Sequence, residues 1–180
     1  MDMPATLSIK RLSTADAPAY RTLMLEAYEM HPDAFTSSVA ERAALPLSWW
    51  ESRVVPGGEA AEVVFGAFHD ARLAGVAGLS FETREKARHK ATLFGMYVPP
   101  RARCQGIGLR LVDAALAFAR SRSGIKVVQL TVTEGNASAE ALYRRCGFAP
   151  FGVEPYAVAV DGGYVAKVHM WCNVEPVATS

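Results

Sequence analysis

The stretch VPPRARCQGIGL, at positions 98–109, combines residue types whose spacing could bind an anion. An apolar run stops at Pro99-Pro100, and a helical pattern starts just after Gly106, so Gly106 and Gly108 fall where a helix begins. N–H groups in a helix's first turn have no acceptor inside the helix and lie at the positive end of its dipole. A phosphate suits such a loop, and glycine lets a pyrophosphate approach the backbone. Arg101 and Arg103 add charge-assisted donors. Two better-defined phosphate patterns do not match. GxGxxG would need glycine where Leu111 stands, and the Lys-Ser/Thr pair of the P-loop is missing. The plain alternative is a glycine-bearing helix start that binds nothing.

A second segment, NASAEALYRRCGF at 136–148, follows after one helical and one strand-like stretch. Together the two segments resemble the GNAT superfamily of acyl-CoA N-acyltransferases. Its pyrophosphate loop, (Q/R)xxGx(G/A), is matched by Arg103, Gly106 and Gly108. Its second motif, NxxAxxLYxxxGF, is matched at Asn136, Ala139, Leu142, Tyr143, Gly147 and Phe148. The N-terminal half fits this family only by the order of its elements.

The resemblance implies a set of roles. The strand around 91–98 splays from the strand around 127–132 at a bulge near Gly95, and a pantetheine arm pairs with the backbone of Met96 and Val98 in the gap. The loop Arg103, Cys104, Gln105, Gly106, Ile107, Gly108 and Leu109 holds the pyrophosphate through its amides. Asn136 contacts the pantetheine, and Tyr143 lies near the thioester sulfur. The co-substrate is acetyl-CoA, no metal takes part, and the acceptor is a primary amine on a small molecule or peptide. Replacing Gly108 with valine should block the pyrophosphate and leave the fold intact.

A phenol with a reference pKa near 10 is protonated at neutral pH, so Tyr143 can act as general acid to the departing thiolate. The alternative is a ring that only packs with Leu142 and Phe148. No base is evident. In relatives that acetylate protein N-termini, a glutamate lies five residues before the motif asparagine, and here Thr131 occupies that position. Glu134, Glu82, Glu85 and His89 read better as solvated turn and loop residues. A water chain suffices for an amine of pKa near 8, much of which is already neutral at pH 7.

The pattern around these motifs predicts the elements that carry them. Strands are expected at 7–11, 62–69, 72–82, 91–98 and 127–132, with two more flanking Asp161-Gly162-Gly163. Helices are expected from about Thr14 to Met30, across a break at Pro46 toward Val54, and at 106–120 and 138–146. That order describes an α/β fold: a mixed, mostly antiparallel sheet with a splayed central pair, flanked by helices. The loop His31–Ser38 with Phe35, the pair Trp49-Trp50, and Glu154 with Tyr156 are positional candidates for the acceptor pocket.

The chain has 180 residues, 51% hydrophobic and 21% charged, which excludes disorder and fits one domain spanning 1–180. A formal charge of +1 argues against nucleic acid as a partner, including a charged-tRNA acceptor. No apolar run is long enough to cross a membrane, and the start lacks a secretory pattern. Cys104, Cys146 and Cys172 have no CxxC spacing, and the four histidines have no paired ligand spacing. A cytoplasmic protein with free thiols is expected, and a homodimer is left open. Two other functions remain at this point: a silent acyl-CoA-binding module, and an acyltransferase for longer acyl chains.

Overall fold

A computed structural model describes residues 6–176. Strand β1 is Leu7–Arg11 and helix α1 is Ala17–Met30. Ser13 and Asp16 form a capping box around the short 3-10 turn Thr14–Asp16 that leads into α1, so the cap is Ser13 and not Thr14. Two short helices, α2 (Val39–Ala43) and α3 (Leu47–Ser52), lie either side of Pro46. Pro46 lacks an amide proton to continue α2 and is tolerated at the start of α3. Next come β2 (Glu62–His69), β3 (Arg72–Phe81), β4 (Lys90–Tyr97), α4 (Ile107–Ser121), β5 (Val127–Thr133), α5 (Ala137–Arg145), β6 (Ala149–Val160) and β7 (Gly163–Asn173).

Among the described residues one sheet holds all seven strands in the order β1-β2-β3-β4-β5-β7-β6, and only the β4–β5 pair is parallel. The amphipathic α4 buries Leu111, Val112, Ala115, Leu116 and Ala119 against one face, over Val63, Leu79, Val128 and Met170. On the other face α1 and α3 cover β2 to β4 through Tyr20, Met24, Trp50, Val64 and Val76. The mixed sheet with flanking helices agrees with the fold expected from the sequence. Among the described residues no helix is long and apolar enough to cross a membrane.

The site depends on a defect in this sheet. β4 and β5 pair only at Lys90–Val127, Ala91–Val128 and Thr92–Gln129, then diverge. On the other edge of β4, the register against β3 shifts between Val76, opposite Tyr97, and Gly78, opposite Phe94. Three steps on β4 therefore face two on β3, which makes a bulge that holds Gly95 at φ +58. A bulge bends the strand and raises its twist, and glycine takes that φ without strain. From Leu93 onward, the edge of β4 toward β5 has no strand partner.

Candidate active site

The divergence opens a cleft of about 810 Å³ between β4, β5, α5 and the start of α4. Met96, Val98, Arg103, Cys104, Gly106, Ile107, Gly108, Leu109, Asn136 and Tyr143 all line it. Gln105 lies in the same loop and does not.

The loop after β4 runs through a 3-10 turn at Pro100–Ala102 into α4. Cys104 (φ +64) and Gly106 (φ +71) both have left-handed backbone, and Gly106 caps α4 without a side-chain hydrogen bond. No N–H from Cys104 to Leu109 donates outside the helix, and the first helical amide with an acceptor is that of Arg110, on Gly106 O at 3.1 Å. Six consecutive donors thus lack an acceptor among the described residues, in a loop that lines the cleft at every position but Gln105, which fits a pyrophosphate.

The arginines depart from expectation. Arg101 does not line the cleft. It donates to both carboxylate oxygens of Glu26, at 2.8 and 3.2 Å, and holds the Glu26 pKa below its ordinary value. Tyr97 donates to the same carboxylate at 2.9 Å, and burial pushes its phenol up to about 12. Arg103 lines the cleft but folds back: its Nε donates to Val98 O at 3.0 Å, and its Nη2 lies 3.3 Å from His31 Nε2. A guanidinium only donates, so that imidazole nitrogen carries the lone pair. The Val98 carbonyl is therefore engaged, which leaves less of this residue free to pair with a pantetheine.

Asn136 is the N-cap of α5. Its Oδ1 accepts from Ala139 N (3.2 Å) and Ser138 Oγ (3.3 Å), so its amide NH₂ is the group left to donate. Tyr143 is 7% exposed and stacks edge-on with Phe148, centroids 5.9 Å apart. Its hydroxyl bonds to no described residue, and burial, with Cys146 adding to it, pushes the phenol up to about 12. Gly108 is tightly packed: a Cβ there would lie 3.0 Å from Leu142 Cδ2 and 3.1 Å from Met96 Cε. Valine would crowd α5 and β4 as well as a ligand, so the expected clean effect of Gly108→Val does not hold.

Thr131 lines the cleft, and Glu134, Glu82, Glu85 and His89 do not. Glu82 pairs with Arg84. Glu154 pairs with His169 on the outer strands, and Tyr156 is exposed there. Trp49 and Trp50 line a smaller recess beside the cleft. The loop after α1 does reach the cleft, through His31, Asp33, Ala34, Phe35 and Thr36.

Lys167 and Arg145 also line the cleft and were not singled out from the sequence. Lys167 is 6% exposed, and its ammonium donates to Asp33 O (3.2 Å), Ala34 O (2.9 Å) and Thr133 Oγ1 (3.0 Å). It pins the loop after α1 to β5 and β7, and burial pulls its pKa down. A lone lysine among the apolar residues of β7 was the available signal. Among the described residues no cluster of His, Cys, Asp or Glu could hold a metal ion.

A strand pair splayed over a helix-start loop of free amides defines a GNAT-type α/β domain. The chain belongs to the acetyltransferase (GNAT) family, whose model matches residues 24–148. A mycothiol acetyltransferase from Salinispora tropica is 30% identical over 135 residues, 75% of this chain and 42% of that protein. An L-methionine sulfoximine/L-methionine sulfone acetyltransferase from Pseudomonas paraeruginosa is 29% identical over 85 residues, 47% of this chain and 49% of that protein. The chain thus spans less than half the length of these curated relatives. Among solved structures, yncA from Salmonella typhimurium, with its cofactor acetyl-CoA, has TM-score 0.79 at 20% identity, covering 98% of both chains. An acetyltransferase of the GNAT family from Streptococcus pneumoniae has TM-score 0.80 at 20% identity, over 93% of this chain and 99% of that one.

Proposed function

We propose that this protein is a cytoplasmic N-acetyltransferase that moves the acetyl group of acetyl-CoA to a primary amine by direct attack. The observation that carries this reading is the run of amides from Cys104 to Leu109 without a described acceptor, in a loop that borders the same cleft as the open edge of β4 and Tyr143. The amides from Cys104 to Leu109 would hold the pyrophosphate, the free edge of β4 would take the pantetheine as an added strand, and the Asn136 NH₂ would donate to it. Both curated relatives are named as acetyltransferases acting on small molecules, which supports a small-molecule acceptor.

Acetyl-CoA supplies the acetyl group. As the amine nitrogen forms its bond to the carbonyl carbon, the carbon–sulfur bond breaks and the sulfur takes up charge. Tyr143 Oη, protonated and without another partner, donates to that sulfur. A phenol at about 12 is a weaker acid than a thiol of reference pKa near 8.5, so Tyr143 stabilises the charged sulfur mainly by its hydrogen bond, and any proton it gives up is regained through cleft water from the one the amine releases. A backbone amide on the open edge of β4 can polarise the carbonyl oxygen. The proton lost by the amine leaves through cleft water.

The test incubates the protein with acetyl-CoA and a panel of amines, follows free thiol release, and identifies products by mass spectrometry. Thiol release matched by an N-acetylated product is expected. Binding of acetyl-CoA without any product would sink the enzymatic reading and leave a silent binding module, and consumption of only longer acyl-CoA donors would correct the acyl group.

A further inference from the structure

Beside the cleft lies a recess of about 190 Å³, and the two meet at Phe35, Thr36, Phe94 and Gly95. Its charged wall residues are Arg42 and Arg53, and no Asp or Glu lines it. Both guanidiniums stack on the Trp49 indole, at 4.7 and 4.6 Å from the ring centroid. Arg53 also pairs through Nε with Glu62, at 3.3 Å, from outside the recess. The Arg42 side chain makes no ion pair or hydrogen bond with any described residue.

Among the described residues the recess offers no carboxylate; its side-chain acceptors are the hydroxyls of Tyr20, Tyr28, Thr36 and Ser37, and Tyr20 hydrogen-bonds Arg53. Three buried side-chain nitrogens among the described residues have no partner, and two of them, Arg42 Nε and Trp50 Nε1, belong to recess walls. Trp50 is 1% exposed, so solvent does not satisfy its N–H. Tyr20, Tyr28, Trp49 and Phe94 supply aromatic walls beside the partly buried guanidiniums. Such a site favours a small planar anion that can take a guanidinium's paired donors.

Position decides which ligand carries that anion. The loop Cys104–Leu109 contributes nothing to the recess. The recess joins the cleft at Gly95, on the part of β4 that has left β5, the open edge whose amide would polarise the thioester carbonyl in the proposed reaction. We infer that the acceptor is a small amine carrying a carboxylate, of the amino-acid class, with the carboxylate held at Arg42 and Arg53 and the amine directed past Gly95 into the cleft. This rests on the acetyltransferase reading. A carboxylate and a short stem fit the volume, and with only a few atoms between anion and amine the nitrogen reaches the splay.

The competing account is that the arginines only brace Trp49 by cation–π stacking. The test uses the full chain with two readouts. Steady-state rates with acetyl-CoA are compared for the standard L-amino acids and their carboxamides, and thermal shifts are recorded for the same compounds in saturating CoA. At least one amino acid is expected to exceed its carboxamide on the order of 10²-fold in kcat/KM, with Arg42→Gln collapsing that ratio toward one through KM. The same amino acid should raise the wild-type melting temperature and fail to raise that of Arg42→Gln, whose folding is checked by its own cooperative melt. If Arg42→Gln does not fold, Arg42→Lys takes its place, keeping the charge and losing the paired donors, with a partial fall of the ratio through KM expected and an unchanged ratio overturning the site. An amino acid that binds in an Arg42-dependent way without turnover would overturn the acetyltransferase reading and keep the site. Turnover of uncharged amines with no preference for the carboxylate, or a variant that slows acids and amides alike, would overturn the site and keep the enzyme.

Discussion

Tyr143 is a residue whose packing and proposed chemistry draw on the same side chain and can be separated by one atom. Its ring is held by Phe148 and the α4 side of the core, and its hydroxyl bonds to nothing described. Tyr143→Phe keeps the ring and removes only the donor, so steady-state turnover on an accepted amine should fall by roughly 10²–10⁴ with acetyl-CoA affinity nearly unchanged. Activity within about threefold of wild type would remove Tyr143 from the mechanism. The raised pKa gives the same pair a signature in stability. Above about pH 10 the unfolded chain releases this proton, while the folded protein keeps it up to about 12, so the contribution present below pH 10 is lost as pH rises through 12. Urea midpoints should therefore fall more steeply between pH 10 and 12 for wild type than for Tyr143→Phe.

At the scale of elements, the short α5 depends on a cap that is also a candidate ligand contact. Asn136 Oδ1 holds the Ala139 amide, and its NH₂ faces the cleft's remaining demand for donors. Asn136→Asp keeps an equivalent cap and loses the NH₂, whereas Asn136→Ala loses both. Both variants should raise KM for acetyl-CoA, while only alanine lowers stability, by about 1 kcal/mol in urea denaturation. An aspartate variant with unchanged KM would confine Asn136 to capping. What the sequence disclosed follows the same division between local and distant partners. The glycines at Gly95 and Gly106 mark a bulge and a helix start within the local pattern and so could be read directly, whereas Asn136 was expected as a pantetheine contact and its capping of α5 was not read. Arg101 was read as a phosphate contact because its partner Glu26 lies 75 residues away. Of the recess, Phe35 and Trp49-Trp50 were read as acceptor-pocket candidates by position, but Arg42 and Arg53 were not, because α2 and α3 span five and six residues, too few for a periodic pattern to say which way their side chains turn.

For the whole molecule, the sheet closes every strand pair except the one that would admit the co-substrate. Both cores stop at that gap: α4 packs the face behind it, α1 and α3 pack the other face beside it, and the loop after α1 is tied across it by Lys167. The free amides of Cys104–Leu109 and the open edge of β4 should therefore exchange hydrogen rapidly without ligand, because local protection follows hydrogen bonding and burial. Acetyl-CoA bound as proposed would supply acceptors to both segments at once. Hydrogen exchange followed by mass spectrometry should show slowing in peptides covering 93–98 and 104–109, with the β6–β7 hairpin unchanged. By linkage, ligand at 100 times its Kd adds about 2.7 kcal/mol, worth roughly 5–11 °C in melting temperature for a domain of this size. A melting shift without protection at either segment would mean that acetyl-CoA binds elsewhere. Protection at the loop alone would mean that the pyrophosphate is held while the pantetheine stays out of the splay, and the proposed alignment of thioester and Tyr143 would then fail.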